Sequence, residues 1–401
     1  MSWIVKAGKQ GKKIVKKLIM PAEKHYVGYT RRIERVQTTR RICAMTFDDG
    51  PMGLPASPDR FDGRTLTDVL LDTLAQYGAR GSFDVIGDTS ANYPDEAGKL
   101  GSAAWGGVRF DHYPDIHCDE QGGAEHNDRL IRRMLAEGHQ ITNHGYRHIL
   151  FGKKPFVYGA REYLPGFDAA VEDLTRLHAL MQTRYGYTMT LARPPHYVDK
   201  MTGGFTSYDV YDRMGYQYMA ASFDGAGWLP STDPDPEAAL QAEIRAMAKR
   251  TPVAFALGQQ LALLQEYGYQ VVPVGELLAE SPFADVGREE PLFDRLTALA
   301  EQRAIVFSDN RLRLDDLMTV GELAMLLTPK TDAIARRVAQ LRRTGRAGAY
   351  DGAMAWCREN GLVSAAAHPA DHVTALPEAW FVPTDGFTRR DVYAAFRMER
   401  L

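Results

Sequence analysis

A chain of 401 residues, 45% hydrophobic and 25% charged, is long enough for two or three domains and has the profile of an ordinary soluble globular protein. A formal net charge of −3 gives no global drive toward nucleic acid. The three cysteines, Cys43, Cys118 and Cys357, are scattered and form no C-x-x-C pair, which argues against a disulfide framework and a cysteine zinc site.

Near the start, Lys6, Lys9, Lys12, Lys13, Lys16 and Lys17 interrupt every apolar run, so residues 1–20 read neither as a signal peptide nor as a membrane span. Two readings remain for this arm (1–40): a basic amphipathic helix on an anionic membrane surface, or a solvated tail. An apolar run over 42–47 then ends in Asp48-Asp49-Gly50-Pro51. Neighbouring side chains of a strand face opposite ways, but a turn at its end lets both carboxylates face one cleft. The same residues also suit an ordinary turn.

Thr65 with Asp68 three residues on resembles a capping box, opening a helix with Leu66, Val69, Leu70, Leu74 and Tyr77 on one side and Gly78 as its stop. Residues 81–87 read as a second strand, so a β-α-β unit and a parallel sheet or barrel are expected. Residues 88–127 are irregular. Their Asp111, His112, Asp115, His117, Cys118, Asp119 and His126 suggest a second metal site, but the spacing matches no ligand template and a surface insertion is the favoured reading. A helix over 128–137 and a strand over 140–143 lead into His144. A helix over 168–185 and a strand over 188–192 lead into Arg193-Pro194-Pro195-His196-Tyr197. Beyond a helix at 210–214, a strand at 218–223 runs into Asp224-Gly225-Ala226-Gly227-Trp228. A helix at 236–250, a strand at 253–257, a helix ending at Gly268 and a strand at 270–274 complete the alternation. Polar residues gather just past the strand ends, where barrel and doubly wound enzymes keep their active sites.

From about residue 285 the pattern is mainly helical, with a weak duplication. Residues 294–306 align with 351–363, and Thr319 with Glu322 aligns with Thr388 with Asp391, each a Thr-x-x-acid helix start. The two copies span about 292–327 and 350–398, and weakly resemble S-layer homology repeats, which bind cell-wall polymers.

The chemistry centres on His144 and His148. Imidazoles at i and i+4 share one face of a helical turn and can reach a single cation. Two imidazoles with one carboxylate make a three-ligand zinc set that leaves room for water and substrate. One metal so held can both polarise a carbonyl and make a nucleophile available at neutral pH.

The motifs Thr46-Phe47-Asp48-Asp49-Gly50-Pro51, Gly78 to Phe83, Glu137 to His144 followed by His148, and Arg193-Pro194-Pro195 resemble those of the polysaccharide deacetylases that share the NodB homology domain (carbohydrate esterase family 4). The resemblance covers roughly 42–278. It implies an α/β fold, a distorted (β/α) barrel over 41–280; the helical pattern beyond it gives a smaller helical domain over 285–401. It also implies one divalent ion, usually zinc, and hydrolysis of N-acetyl or O-acetyl groups on carbohydrate polymers. By position, Asp49, His144 and His148 would hold the metal. Asp48 would be the general base, Arg193 would keep it ionised, and the backbone N–H of His196 would help stabilise the oxyanion. Asp224 would belong to the catalytic set, with Pro195, Tyr197 and Trp228 against the substrate.

Three positions depart from the family pattern. Gly145 stands where Ser or Thr is usual, Gly227 precedes Trp228 in place of Asp, and no histidine occurs between His196 and His368 to serve as the general acid. His196 is a candidate substitute. The competing expectation is a catalytically impaired sugar-binding or cell-envelope protein that keeps the metal site. The expected partner is an acetylated carbohydrate, without nucleic acid, and with a membrane surface or cell-wall polymer as a peripheral contact.

Overall fold

The computed structural model describes residues 30–53, 61–88, 103–105, 108–110, 122–151, 163–201, 205–222, 253–302, 304–305, 309–329 and 350–400. Six strands form one parallel sheet: β1 (Arg32–Ile33), β3 (Thr46–Gly50), β4 (Ser82–Val85), β7 (Gln140–Asn143), β10 (Leu191–Ala192) and β11 (Gln217–Met219). Their order across the sheet is β1-β11-β10-β7-β4-β3, with every pairing parallel. β2 (Ile42–Cys43) pairs with β12 (Gln270–Val271), also in parallel. The remaining strands are an antiparallel pair within the insertion, β5 (Ala103–Trp105) with β6 (Val108–Phe110), and a parallel pair, β8 (Leu150–Phe151) with β9 (Tyr163–Leu164).

Helices alternate with these strands as the capping and periodicity signals indicate. α1 (Leu66–Gln76) starts at Thr65, whose side chain accepts the Asp68 N–H. α2 (Asp128–Ala136) turns Leu130, Ile131 and Met134 inward, and α3 (Phe167–Tyr185) ends on Gly186 in the left-handed conformation, φ 64°. α4 (Ser207–Met214) opens at Thr206. This is the α/β class expected, with parallel strands alternating with helices.

Two expectations change. Residues 253–257 are not a strand but the start of α5 (Val253–Glu266). A five-residue apolar run suits either structure, and here Ala, Leu, Gln and Glu continue it for three more turns. Leu257 and Leu261 are buried one turn apart in the main core, and the helix lies along α1. The last strand stops at Val271, because Pro273 caps α6 (Val274–Glu280). The basic arm through residue 29, Asp224, Trp228, the 236–250 helix and most of the 88–127 segment lie outside the described residues.

The aligned C-terminal stretches are helical. α7 (Phe293–Glu301) corresponds to α9 (Asp351–Glu359), and α8 (Val320–Leu327) to α10 (Arg389–Ala395). α8 and α10 both start with a complete capping box, Thr319 with Glu322 and Thr388 with Asp391. One hydrophobic cluster runs from Leu70 to Val271 and a separate one from Phe283 to Phe396. No helix among the described residues is long and apolar enough to cross a membrane.

Candidate metal centre and active site

β3, β4, β7 and β10 lie side by side in that order, and residues at or just past the C-terminal ends of β3, β7 and β10 meet. The pairing of β3 with β4 aligns Asp48 with Asp84 and Gly50 with Val85, so the register shifts across Asp49, which has φ 68°. A bulge of this kind re-aims a side chain at a strand end. Both adjacent carboxylates thereby face His144. Asp49 Oδ1 is 3.2 Å and Asp48 Oδ2 is 4.0 Å from His144 Nε2.

The segment from His144 to His148 is a loop rather than the helical turn expected from its spacing. Gly145 has φ 89° and His148 φ 52°, neither compatible with a right-handed helix. Side chains fix the loop instead. Asn143 Oδ1 accepts the Gly145 N–H at 2.9 Å, and Asp173 on α3 accepts the Tyr146 N–H at 2.7 Å. The rings of His144 and His148 still lie 5.0 Å apart, centre to centre. His148 Nε2 is 2.9 Å from the same Asp49 oxygen. The departure at Gly145 has a local cause: a Cβ there would sit 3.0 Å from Asp173 Oδ2, on a backbone that disfavours any side chain.

Arg193 is 3% exposed and reaches across the sheet to Asp48, with Nη1 paired to Asp48 Oδ1 and Nη2 donating to Thr46 Oγ1 at 3.0 Å. Its Nε donates to the Met219 carbonyl at 3.0 Å. The Asp48 carboxyl nevertheless lies above the ordinary carboxylate range. Desolvation raises it most, Arg193 and His144 oppose the rise, and Asp84 and Asp49 reinforce it. Asp49 behaves oppositely. Burial pushes it up, but the charge of His148 and hydrogen bonds from both imidazoles hold it well below the usual range.

His196 and Tyr197 occupy a single 3-10 turn, Pro195–Tyr197, with φ 53° and 54°. The His196 ring lies 5.4 Å from that of His148. Tyr197 is half-buried beneath Arg193, 5.5 Å from the guanidinium carbon to the ring centre, and burial pushes its hydroxyl up to about 12. Pro195 is buried, so it holds the turn and offers no surface to a substrate.

One group escaped the sequence reading. Asp84 on β4 is 0% exposed, with Oδ2 2.8 Å from His144 Nδ1 and Oδ1 accepting the Thr142 hydroxyl at 2.6 Å. Its only signal in the sequence is one acid in the run Ser82-Phe83-Asp84-Val85-Ile86.

The donor set fits a divalent cation. The ligand atoms of Asp49, His144 and His148 all lie within 4.8 Å of one another. The surrounding charge is negative: desolvation lowers His144, yet Asp84, Asp49 and Asp48 together raise it well above the ordinary imidazole range. A field that draws a proton onto a buried imidazole also draws a metal ion to the same place.

A parallel α/β domain that gathers two imidazoles and adjacent carboxylates at its strand ends holds a candidate site for a divalent cation. Residues 35–218 match the family model described as polysaccharide deacetylase. Over 173 residues the chain is 25% identical to the peptidoglycan-N-acetylmuramic acid deacetylase PdaC of Bacillus subtilis (strain 168). That alignment takes in 43% of this chain and 25% of PdaC, so the chain spans about a quarter of the length of this curated relative. Among solved structures it is similar to the chitin deacetylase of the fungal pathogen Colletotrichum lindemuthianum, with 19% identity, 64% of this chain and 94% of that one covered, and a TM-score of 0.40. It is also similar to a CE4 family pseudoenzyme from Bacillus anthracis, with 14% identity, 62% and 68% covered, and a TM-score of 0.38.

Proposed function

We propose that residues 41–280 form a metal-dependent deacetylase of N-acetylated or O-acetylated carbohydrate, and that residues 285–401 form a separate helical domain. The observation that carries this reading is the convergence of Asp49, His144 and His148 beside an arginine-held second carboxylate. Asp49, His144 and His148 hold a divalent ion, zinc being the usual choice for two imidazoles and one carboxylate. When bound, that ion supplies Lewis acidity toward the acetyl carbonyl and the attacking water.

The protein's own groups do the rest. Asp48 Oδ1 is committed to Arg193, leaving Oδ2, on the side of His144, to accept the proton of the attacking water. Arg193 favours the ionised form of Asp48 and fixes its orientation. The His196 N–H, in its left-handed turn, completes the support for the oxyanion. The amine of an acetamide leaves only with a proton, and the His196 ring, 5.4 Å from that of His148, is the candidate donor. Removal of His196 should therefore flatten the basic limb of the pH–rate profile; a His196→Ala profile identical to that of the parent removes it from the mechanism. Asp224 and Trp228, outside the described residues, are assigned to the catalytic and substrate-binding sets by motif position alone, with an acetylated carbohydrate as substrate and peripheral contact with a membrane surface or cell-wall polymer.

The direct test is acetate release from N-acetylglucosamine oligomers in added Zn²⁺ or Co²⁺, abolished by Asp48→Asn. A second reading, binding of metal and sugar without turnover, is favoured by the lack of any histidine between His196 and His368. Saturable glycan binding with no acetate released would select it.

A further inference from the structure

We propose that Asp84 is a positioning residue for His144: its buried carboxylate orients the metal-binding imidazole and adds charge beneath the cation. The proposal rests on the reading that Asp49, His144 and His148 hold a divalent metal.

Three adjacent strands carry the argument. Asp84 is in register with Asp48 on β3 and with Thr142 on β7, so the three side chains form one row on one face of the sheet. The row lies directly beside His144. With His144 Nε2 turned to Asp49, its proton belongs on Nδ1, which donates to the Arg193 carbonyl at 2.8 Å, while Asp84 Oδ2 lies 2.8 Å from the same nitrogen as a charge contact. Metal-binding histidines characteristically give their second N–H to a carbonyl or carboxylate, which fixes the ring and makes it a stronger ligand. Here the carbonyl takes the proton, and the Asp84 carboxylate, held by the Thr142 hydroxyl, packs its charge against the same ring edge.

A carboxylate with no solvent exposure on a strand between Phe83 and Val85 is costly unless a positive charge answers it. Asp48, Asp49 and Asp84 carry three negative charges against the one positive charge of Arg193, an excess of two with the imidazoles neutral. A divalent cation cancels that excess; an apolar residue at 84 would leave the occupied site positive.

The test is Asp84→Asn, which keeps the shape and removes the charge. Dissociation constants for Zn²⁺ and Co²⁺ are measured by chelator competition, with the visible spectrum of the Co²⁺ form and the melting temperature of the metal-stripped protein. Affinity should weaken about 10–100-fold. The Co²⁺ bands should change, while the metal-stripped protein melts no lower than the parent, since a buried charge has been relieved. Unchanged affinity and spectrum overturn the proposal, as does a fall in melting temperature with intact affinity. Should Asp84→Asn fail to fold, Thr142→Val removes the hydroxyl that holds Asp84 and should weaken binding in the same direction by less; unchanged affinity there also overturns it. A parent protein that binds neither ion, like Asp49→Ala, overturns the metal reading itself, which keeps the two failures apart.

Discussion

Replacing Arg193 with Met separates electrostatic from structural work at the base. The guanidinium is buried against Asp48, whose side chain keeps 32% of its exposure, so the charge is partly screened but not cancelled by water. An opposite charge in direct contact shifts a carboxylate by about 1–3 pKa units, or roughly 1.4–4 kcal/mol. The sign follows from the role. Asp48 must be ionised to accept a proton, so activity exists above its pKa and is lost below it. Desolvation already raises this carboxyl above its ordinary value of 3.8, and Arg193 is the largest opposing influence. Without it, the acid limb of the kcat/KM profile for acetate release should move up by about 1–3 pH units. Arg193 also donates to the Met219 carbonyl and to Thr46, so the melting temperature should fall as well. A slower variant whose acid limb has not moved would refute the reasoning, because Arg193 would then act only as a brace between strands.

Other outcomes follow from single contacts. Asp68 joins α1 to α2 through Arg129 and Arg133, and hydrogen bonding from Arg129, more than burial, sets its carboxyl well below the usual range. Its contribution is therefore fully present above the unfolded value near 3.9 and is lost as pH falls through the lowered folded value; Asp68→Asn should cost about 1.5–3 kcal/mol at pH 7 in urea melts and little at very low pH. Gly145→Ser places a Cβ 3.0 Å from Asp173 Oδ2 at φ 89°, so it should destabilise by about 1–3 kcal/mol and weaken metal binding, a loss that a stable, fully metallated variant would contradict.

Much of this was legible in the sequence because the signals were local. Thr65 and Asp68, Gly138, and Gly186 mark helix ends whatever surrounds them, and the structure sets α1, α2 and α3 within a residue or two of the expected bounds. The convergence of Asp49, His144 and His148 was legible because motif residues carried it, although the loop geometry was not. Spacing at i and i+4 suggested a helix at His144, whereas Gly145, Asn143 and Asp173 impose a left-handed turn that still brings the two rings together. The helical start at Val253 was hidden because apolar periodicity over five residues cannot separate strand from helix. Asp84 was hidden for a different reason: its meaning lies in strand register, which aligns it with Asp48 and Thr142 from residues 36 and 58 positions away. The capping boxes at Thr319 and Thr388 recur in the structure as in the sequence, since each is complete within four residues.

The division of labour between the adjacent carboxylates is tested most directly by metal content and acetate release, measured together on two single variants. Asp49→Ala should lose the bound ion. Asp48→Asn should keep the ion at the parent's stoichiometry and lose about 10²–10⁴-fold in turnover. Equal loss of metal from both variants, or full turnover from Asp48→Asn, would contradict the assignment of ligand to Asp49 and base to Asp48.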